Sequence, residues 1–346
     1  MKPLLFPLIL LAGLLAACTS KPQEHHEQLL VFGTLVDVKL WGVEEKAAQQ
    51  ATAQIAEDFE FMHETWHAWH PGTLGRINQM LASGETFAGA PSVLPLIKRG
   101  AELSEASGGL MNPAIGKLIA LWGFASDDPP HGPPPDDTAI QALLDQHPSM
   151  KDIAVDGINL RGTNPSVKLD FGAFAKGYAA DRALERLREM GIHNAVVNAG
   201  GNLCAIGRHG DRPWRVGIRH PREPGILAWV EVEGDNECII TSGDYERYFD
   251  YEGVRYDHII DPRTGRPTQG VASVTVFADQ GDLGDAASTA LAVAGPDDWL
   301  PVARHMGVKG VLLVGTDGKI YMTPNLKTRI HFEADPPPPV IISEPL

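Results

Sequence analysis

The stretch VKLDFGAFAKGYAAD (Val167–Asp181), continued after a helical segment by HNAVVNAGGNLCAIG (His193–Gly207), sets the reading of the whole chain. Ala179, Ala183, Leu184, Leu187 and Met190 recur at helical spacing and Gly191 stops the run, which predicts a helix from about Lys176 to Met190. The chemistry gathers at its entrance. Asp170 offers a carboxylate, Lys176 a cation, Gly172 and Gly177 permit close backbone approach, and the free N–H groups of a helix start favour phosphate. Beyond the helix, Ala195 to Asn198 reads as a short strand running into Gly200-Gly201, whose missing side chains leave room for a flat or bulky group. A phosphate-bearing ligand with a planar part suits both features. Taken singly, a Gly-rich turn is also ordinary strand-to-helix punctuation, and a buried Asp an ordinary helix cap.

A formal charge of −15 and the lack of a basic patch argue against nucleic acid, whose binding relies on Lys and Arg at phosphates. Anionic ligands must then be met by local devices: helix starts, metal ions or single cations. With 346 residues and 43% hydrophobic composition, the chain can bury one large core or two smaller ones. Residues 1–17 have the layout of a secretory signal, with one Lys, an apolar run from Leu4 to Leu15, and small residues before Cys18. Leu15-Ala16-Ala17-Cys18 resembles a bacterial lipoprotein box, which implies lipidation at Cys18 and a periplasm-facing, membrane-anchored protein of a Gram-negative bacterium. Thr19 after Cys18 slightly favours the outer membrane. Residues 18–28 read as a polar tether, 29–331 as the folded domain, and 332–346 as a Pro-rich extended tail. Asp127 to Asp137, dense in Pro, Gly and Asp, reads as a surface loop, and tether, loop and tail are all expected to carry no chemistry. Cys204 and Cys238 would be left in an oxidising compartment, where one disulfide or two buried thiols are both compatible with their apolar surroundings.

The opening stretch resembles the core of the ApbE-type FAD:protein FMN transferases, roughly D-L-G-G-I-A-K-G-Y-A-x-D, a helix, then V-N-x-G-G-N/D. The resemblance runs from about Phe32 to Ile330, with several separate motifs in the family's order. Phe32-Gly33-Thr34 stands where the family has Met-Gly-Thr, and Gly108-Gly109-Leu110-Met111-Asn112-Pro113 where it has G-x-F-D-P. Thr241-Ser242-Gly243-Asp244-Tyr245-Glu246-Arg247 and His258-Ile259-Ile260-Asp261-Pro262 match T-S-G-D-Y-E-R and H-I-I-D-P closely. It implies an α+β fold, mainly antiparallel sheets with packed helices, in an ApbE-like (T-fold-like) architecture with FAD between two lobes.

The resemblance also assigns roles. FAD would be held by Phe32, Trp69, Leu110, Met111, Asn112, Asp170, Lys176 and Ile260. Magnesium would be held by Asp285, Thr289 and the backbone carbonyl of Ala173. In Gly284-Asp285-Ala286-Ala287-Ser288-Thr289, Asp285 and Thr289 fall one helical turn apart, so a carboxylate and a hydroxyl can share one hard cation, although an Asp there also suits a helix cap. Ser288 stands where many relatives carry Asp. His258 is the candidate base, because imidazole titrates near working pH. The implied reaction moves FMN from FAD to a Thr or Ser hydroxyl of a target flavoprotein and releases AMP. The acceptor lies outside the chain, so hydrolysis of FAD to FMN and AMP, or flavin binding without turnover, stays open.

Elsewhere, Leu30 to Leu40 alternates as one strand, a helix is expected from about Glu45 to His63, and Val311–Val314 with Ile320–Met322 form a hairpin. His63, His67 and His70 lie close together, the first two spaced i,i+4, which raises a metal reading. Nothing adjacent in sequence supplies carboxylates in a matching arrangement, so an aromatic reading is preferred: Trp69 stacks on a ring of FAD and Trp66 packs in the core.

Overall fold

Apolar residues alternating with period two build the central sheet. In the strand Thr34–Trp41, Val36, Val38 and Leu40 are fully buried while Leu35 faces solvent, as pleating requires. A computed structural model describes residues 23–128 and 130–346. The signal segment and Cys18 lie outside the described residues. Nine strands, Glu24–Val31, Thr34–Trp41, Ala195–Ala199, Asn202–Ile206, Asn236–Gly243, Val271–Ala278, Gly310–Gly315, Ile320–Met322 and Val340–Ile342, lie side by side in chain order. All neighbours are antiparallel except the last pair, which is parallel. The α+β, mainly antiparallel architecture expected from the sequence is the one observed.

The described helices are α1 (Glu45–Trp66), α2 (Thr73–Ser83), α3 (Leu94–Ala106), α4 (Gly116–Leu121), α5 (Asp137–Leu144), α6 (Ala175–Glu189) and α7 (Gly281–Met306). Val274, Val276 and Ala278 point into the main core with α1, α6 and α7, while Ala272 and Phe277 point into a second core. That second core is completed by a small sheet of Arg215–Arg219, Ile226–Glu231 and His331–Phe332. A third cluster, Ile115, Leu118, Trp122, Phe124, Ile140, Phe249 and Ile260, forms a lesser lobe.

Several boundaries differ from the sequence reading, each for a local reason. The single strand expected from Leu30 to Leu40 is two strands of a hairpin, joined by Phe32 (φ 56°) and Gly33 (φ 69°). Positive φ at both turn residues is the two-residue hairpin geometry, and Phe in a conformation that L side chains avoid gives no sequence signal for it. The first strand starts at Glu24, inside the expected tether, and Val340–Ile342 of the expected tail adds an edge strand. The first helix extends a turn past His63, to Trp66. The predicted hairpin at 311–322 is present, and Cys204 and Cys238, opposite each other in register, form a disulfide with Cα atoms 4.0 Å apart.

Two helices set the site. The sequence reading gave Gly177 to a ligand, but it lies where α6 meets the start of α7, and a Cβ there would stand 2.1 Å from the Gly281 carbonyl oxygen. Ala179, Ala180, Ala183, Ala286, Ala287 and Ala290 keep both helices thin enough to pack closely. Asp181 on α6 then caps the start of α7, accepting from Gly281 N–H at 2.8 Å and Asp282 N–H at 3.1 Å. From α3, Arg99 grips Asp282 at 2.7 Å and 3.0 Å. Gly200 likewise faces protein, because a Cβ would meet Thr34 Oγ1 at 2.6 Å. Gly177→Ala should therefore lower stability by roughly 1–3 kcal/mol, the usual range for overpacking. Urea denaturation measures this, and an unchanged midpoint would mean that the helices can separate freely.

Candidate active site

A cavity of about 640 Å³ opens between the main core and the lesser lobe, a size suited to a small-molecule or cofactor site. Its floor is the α6–α7 junction. Ala173 lies in the turn before α6, Lys176 in its first turn, and Asp285 and Thr289 on successive turns of α7, all lining the cavity. Asp285 is four residues into α7, so it is not the cap of that helix. One of its carboxylate oxygens accepts the Gly177 N–H at 3.0 Å. Burial pushes its pKa up, against the pull of the Lys176 charge. A buried carboxylate keeps its charge with the help of N–H donors or a nearby cation. Carboxylate, hydroxyl and carbonyl are hard oxygen donors, so Asp285, Thr289 and Ala173 together fit Mg²⁺ by chemistry. Ser288 faces away, donating to the Asp285 carbonyl at 2.9 Å and sharing a 2.7 Å bond with Ser242.

Asp170 is buried at the floor, its pKa raised by burial, and it accepts the Gly172 N–H at 2.8 Å. That bond fixes the turn leading into α6. His258 lines the opposite side, its Nδ1 3.2 Å from the Arg247 carbonyl. A carbonyl only accepts, so this contact puts the proton on Nδ1 and leaves the Nε2 lone pair free. Burial pushes the imidazole pKa down to about 3, and the nearby Lys176 and Arg247 charges add to the effect, so in the free protein the ring does not titrate near working pH, contrary to the sequence reading.

Phe32, Trp66, Trp69, Leu110 and Ile260 give the cavity an apolar, aromatic wall. The strained φ of Phe32 is held by ring contacts to Phe59 at 5.4 Å and Trp66 at 6.5 Å. Asn112 also lines the cavity, and its amide is used for shape: Nδ2 donates to the Pro148 carbonyl (2.9 Å) and Oδ1 accepts Ala114 N–H (3.0 Å). An ionised Asp could not make the first of these bonds.

Of the residues expected around FAD, the structure brings Phe32, Trp69, Leu110, Asn112, Asp170, Lys176 and Ile260 to one cavity with His258 and the three candidate metal ligands. Met111 is the exception. Its side chain is fully buried in the main core, because the turn that exposes Leu110 and Asn112 points their neighbour the other way. Sequence reasoning missed Arg247, whose guanidinium lies 5.7 Å from the Trp69 ring centroid and donates to the carbonyls of Phe124 (2.9 Å) and Ser126 (2.8 Å). Its only signal was its place in the T-S-G-D-Y-E-R motif. Also missed was the loop after Phe124, expected to carry no chemistry, which brings Asp127 to the cavity rim beside His67 and His70.

The sequence profile of the ApbE family matches residues 32–312. A Rhodobacter capsulatus FAD:protein FMN transferase is 44% identical over 335 residues, covering 96% of this chain. This chain spans 64% of that relative's length. A Vibrio cholerae FAD:protein FMN transferase is 31% identical, over 88% of this chain and 91% of its own. The crystal structure of the ApbE protein of Thermotoga maritima superposes with a TM-score of 0.81 at 31% identity, over 89% of this chain and 99% of that one. The flavin transferase ApbE of Vibrio cholerae gives a TM-score of 0.77 at 28% identity, over 89% and 100% of the two chains. Sharing this fold and matching the profile over most of its length, the chain belongs to the ApbE family.

Proposed function

We propose that this cavity carries out the reaction named for its relatives, transfer of the FMN half of FAD to a target protein, with a Thr or Ser hydroxyl as acceptor and AMP as the leaving product. The observation that carries the reading is the meeting, in one cavity, of a hard-oxygen donor set, a cation, an imidazole with a free nitrogen and an aromatic wall. The acceptor oxygen attacks the FMN-side phosphorus, the bond from that phosphorus to the bridging oxygen breaks, and AMP departs with the electron pair. His258 Nε2 takes the hydroxyl proton. Asp285, Thr289 and the Ala173 carbonyl would hold Mg²⁺, which when bound supplies charge neutralisation at the pyrophosphate. Lys176 and the positive end of the α6 dipole add positive potential for the same phosphates. Trp69 and Phe32 would offer ring faces to the flavin or adenine, and Asp170 would accept from a flavin or ribose group.

The setting outside the chain belongs to the same proposal. The lipoprotein box at Cys18 supports a lipid-anchored, periplasm-facing protein, and the Cys204–Cys238 disulfide suits an oxidising compartment. Among the described residues no helix is long and apolar enough to cross a membrane. Mass spectrometry of the membrane fraction should find acyl chains on Cys18.

Incubating the protein with FAD, Mg²⁺ and a flavoprotein subunit carrying an acceptor hydroxyl should give covalent flavin and one AMP per flavin; free FMN in its place would make water the acceptor. Asp285→Ala should abolish most turnover, since Mg²⁺ tolerates loss of an anionic ligand poorly, with partial recovery in excess Mg²⁺. Undiminished activity at limiting Mg²⁺ would remove Asp285 from the metal site. His258→Ala should lower turnover by roughly 10² to 10⁴ with FAD affinity retained, as expected for loss of a general base. If affinity and thermal stability fall while saturated turnover stays normal, the residue only packs.

The low His258 pKa also fixes a sign. The unfolded imidazole titrates near 6.5 and the folded one near 3, so the unfolded chain takes up the proton between these values. Stability from this group is complete above about pH 6.5 and is lost as pH falls. Its NMR ring signals should keep the neutral-form position from about pH 8 to about pH 5 in the free protein. A midpoint near 6.5 would show a solvated imidazole.

A further inference from the structure

At the rim of the cavity, two segments far apart in sequence bring three metal-ligating side chains together. His67 is the C-cap of α1, His70 follows in the next turn, and Asp127 comes from the loop after Phe124. One nitrogen from each ring and one Asp127 oxygen all lie within 4.8 Å of one another. His70 Nε2 is 3.0 Å from Asp127 Oδ2, and the two imidazoles stack with centroids 3.7 Å apart. We infer that His67, His70 and Asp127 form a second divalent-metal site, for a borderline transition ion such as Zn²⁺, distinct from the oxygen-lined floor at Asp285.

The donor set decides the ion. Two imidazole nitrogens and one carboxylate oxygen match Zn²⁺ and its neighbours, whereas Mg²⁺ takes oxygen ligands almost throughout. Ligands bonded at about 2.0–2.1 Å to one tetrahedral ion stand roughly 3.3 Å apart, close to the observed spread. The rings lie nearly parallel, at 4°, and must tilt, because imidazole lone pairs lie in the ring plane. His70 has room to turn, its side chain being 52% exposed. Three protein ligands leave a fourth position for water or for a ligand group in the cavity.

The position gives the ion a consequence. Trp69 sits between the two His in the chain, and Arg247 already holds the Phe124–Ser126 backbone above it. An ion on His67, His70 and Asp127 would join that loop to the turn carrying Trp69, across the mouth of the cavity. FAD would then enter and leave more slowly.

Untagged, chelator-treated protein titrated with Zn²⁺ in excess Mg²⁺ should take up one ion per chain by calorimetry, and Co²⁺ should give visible d–d absorption. His70→Ala with Asp127→Asn should weaken this binding by at least about tenfold, as should Asp127→Asn alone, while Asp285→Asn leaves it in place. Zn²⁺ should slow FAD association and dissociation in the parent protein, not in the double variant. Zn²⁺ affinity unchanged in the double variant, or lost in Asp285→Asn, would overturn the assignment. Circular dichroism and the melting temperature show that each variant is folded. The readout is ion binding by the free protein, so it stands or falls independently of whether FAD is turned over.

Discussion

The backbone contact between Gly177 and Gly281 is the constraint on which the site depends. With no side chain on either residue, α6 and α7 touch main chain to main chain, and two helix starts come to one point. Helix starts carry positive potential, so their junction is suited to carboxylates and other anions. It is also where Ala173, Lys176 and Asp285 become neighbours. The junction is braced by Asp181, which takes the first N–H groups of α7, and by Arg99, which holds Asp282. Burial pushes the pKa of Asp181 up to about 6, and the two N–H groups it receives pull the other way. Behind it the Cys204–Cys238 link ties two strands of the sheet on which both helices rest.

In a chain of formal charge −15, the placing of a few cations decides what the cavity binds. Lys176 and Arg247 both act on His258, and Lys176 on Asp285 and Asp170 as well. They add to burial in holding the imidazole neutral, and they oppose burial at the two carboxylates by favouring ionisation. An incoming pyrophosphate would meet these cations first, and its own charge would then move His258 back toward its ordinary range. Acidity over the rest of the surface keeps such positive potential local.

Much of this was legible in the residues. The α6 pattern, the strand after it, the hairpin near residue 316 and the i,i+4 pair Asp285 and Thr289 are short-range features, fixed by periods of 2 and 3.6 residues. Motif resemblance assigns His258, Lys176 and Asp170 to one site. Where the reading failed, the deciding partner was distant in sequence. Gly177 and Gly200 were read as making room for a ligand, yet each makes room for protein, at Gly281 and Thr34. Met111 was grouped with Leu110 and Asn112, but one residue along a turn reverses the direction of a side chain.

The sequence by itself determined the local elements, the α+β class and the chemical types that line the cavity, because these depend on neighbours in the chain. Tertiary structure alone decided that Cys204 and Cys238 pair, since strand register sets which residues face each other. It alone put Arg247 over Trp69 and supplied the carboxylate missing from the histidine cluster, Asp127, across 57 residues from His70. Such meetings leave no period in a sequence. They follow from how the lesser lobe closes against the main core, which is settled by packing of whole elements rather than by any local pattern.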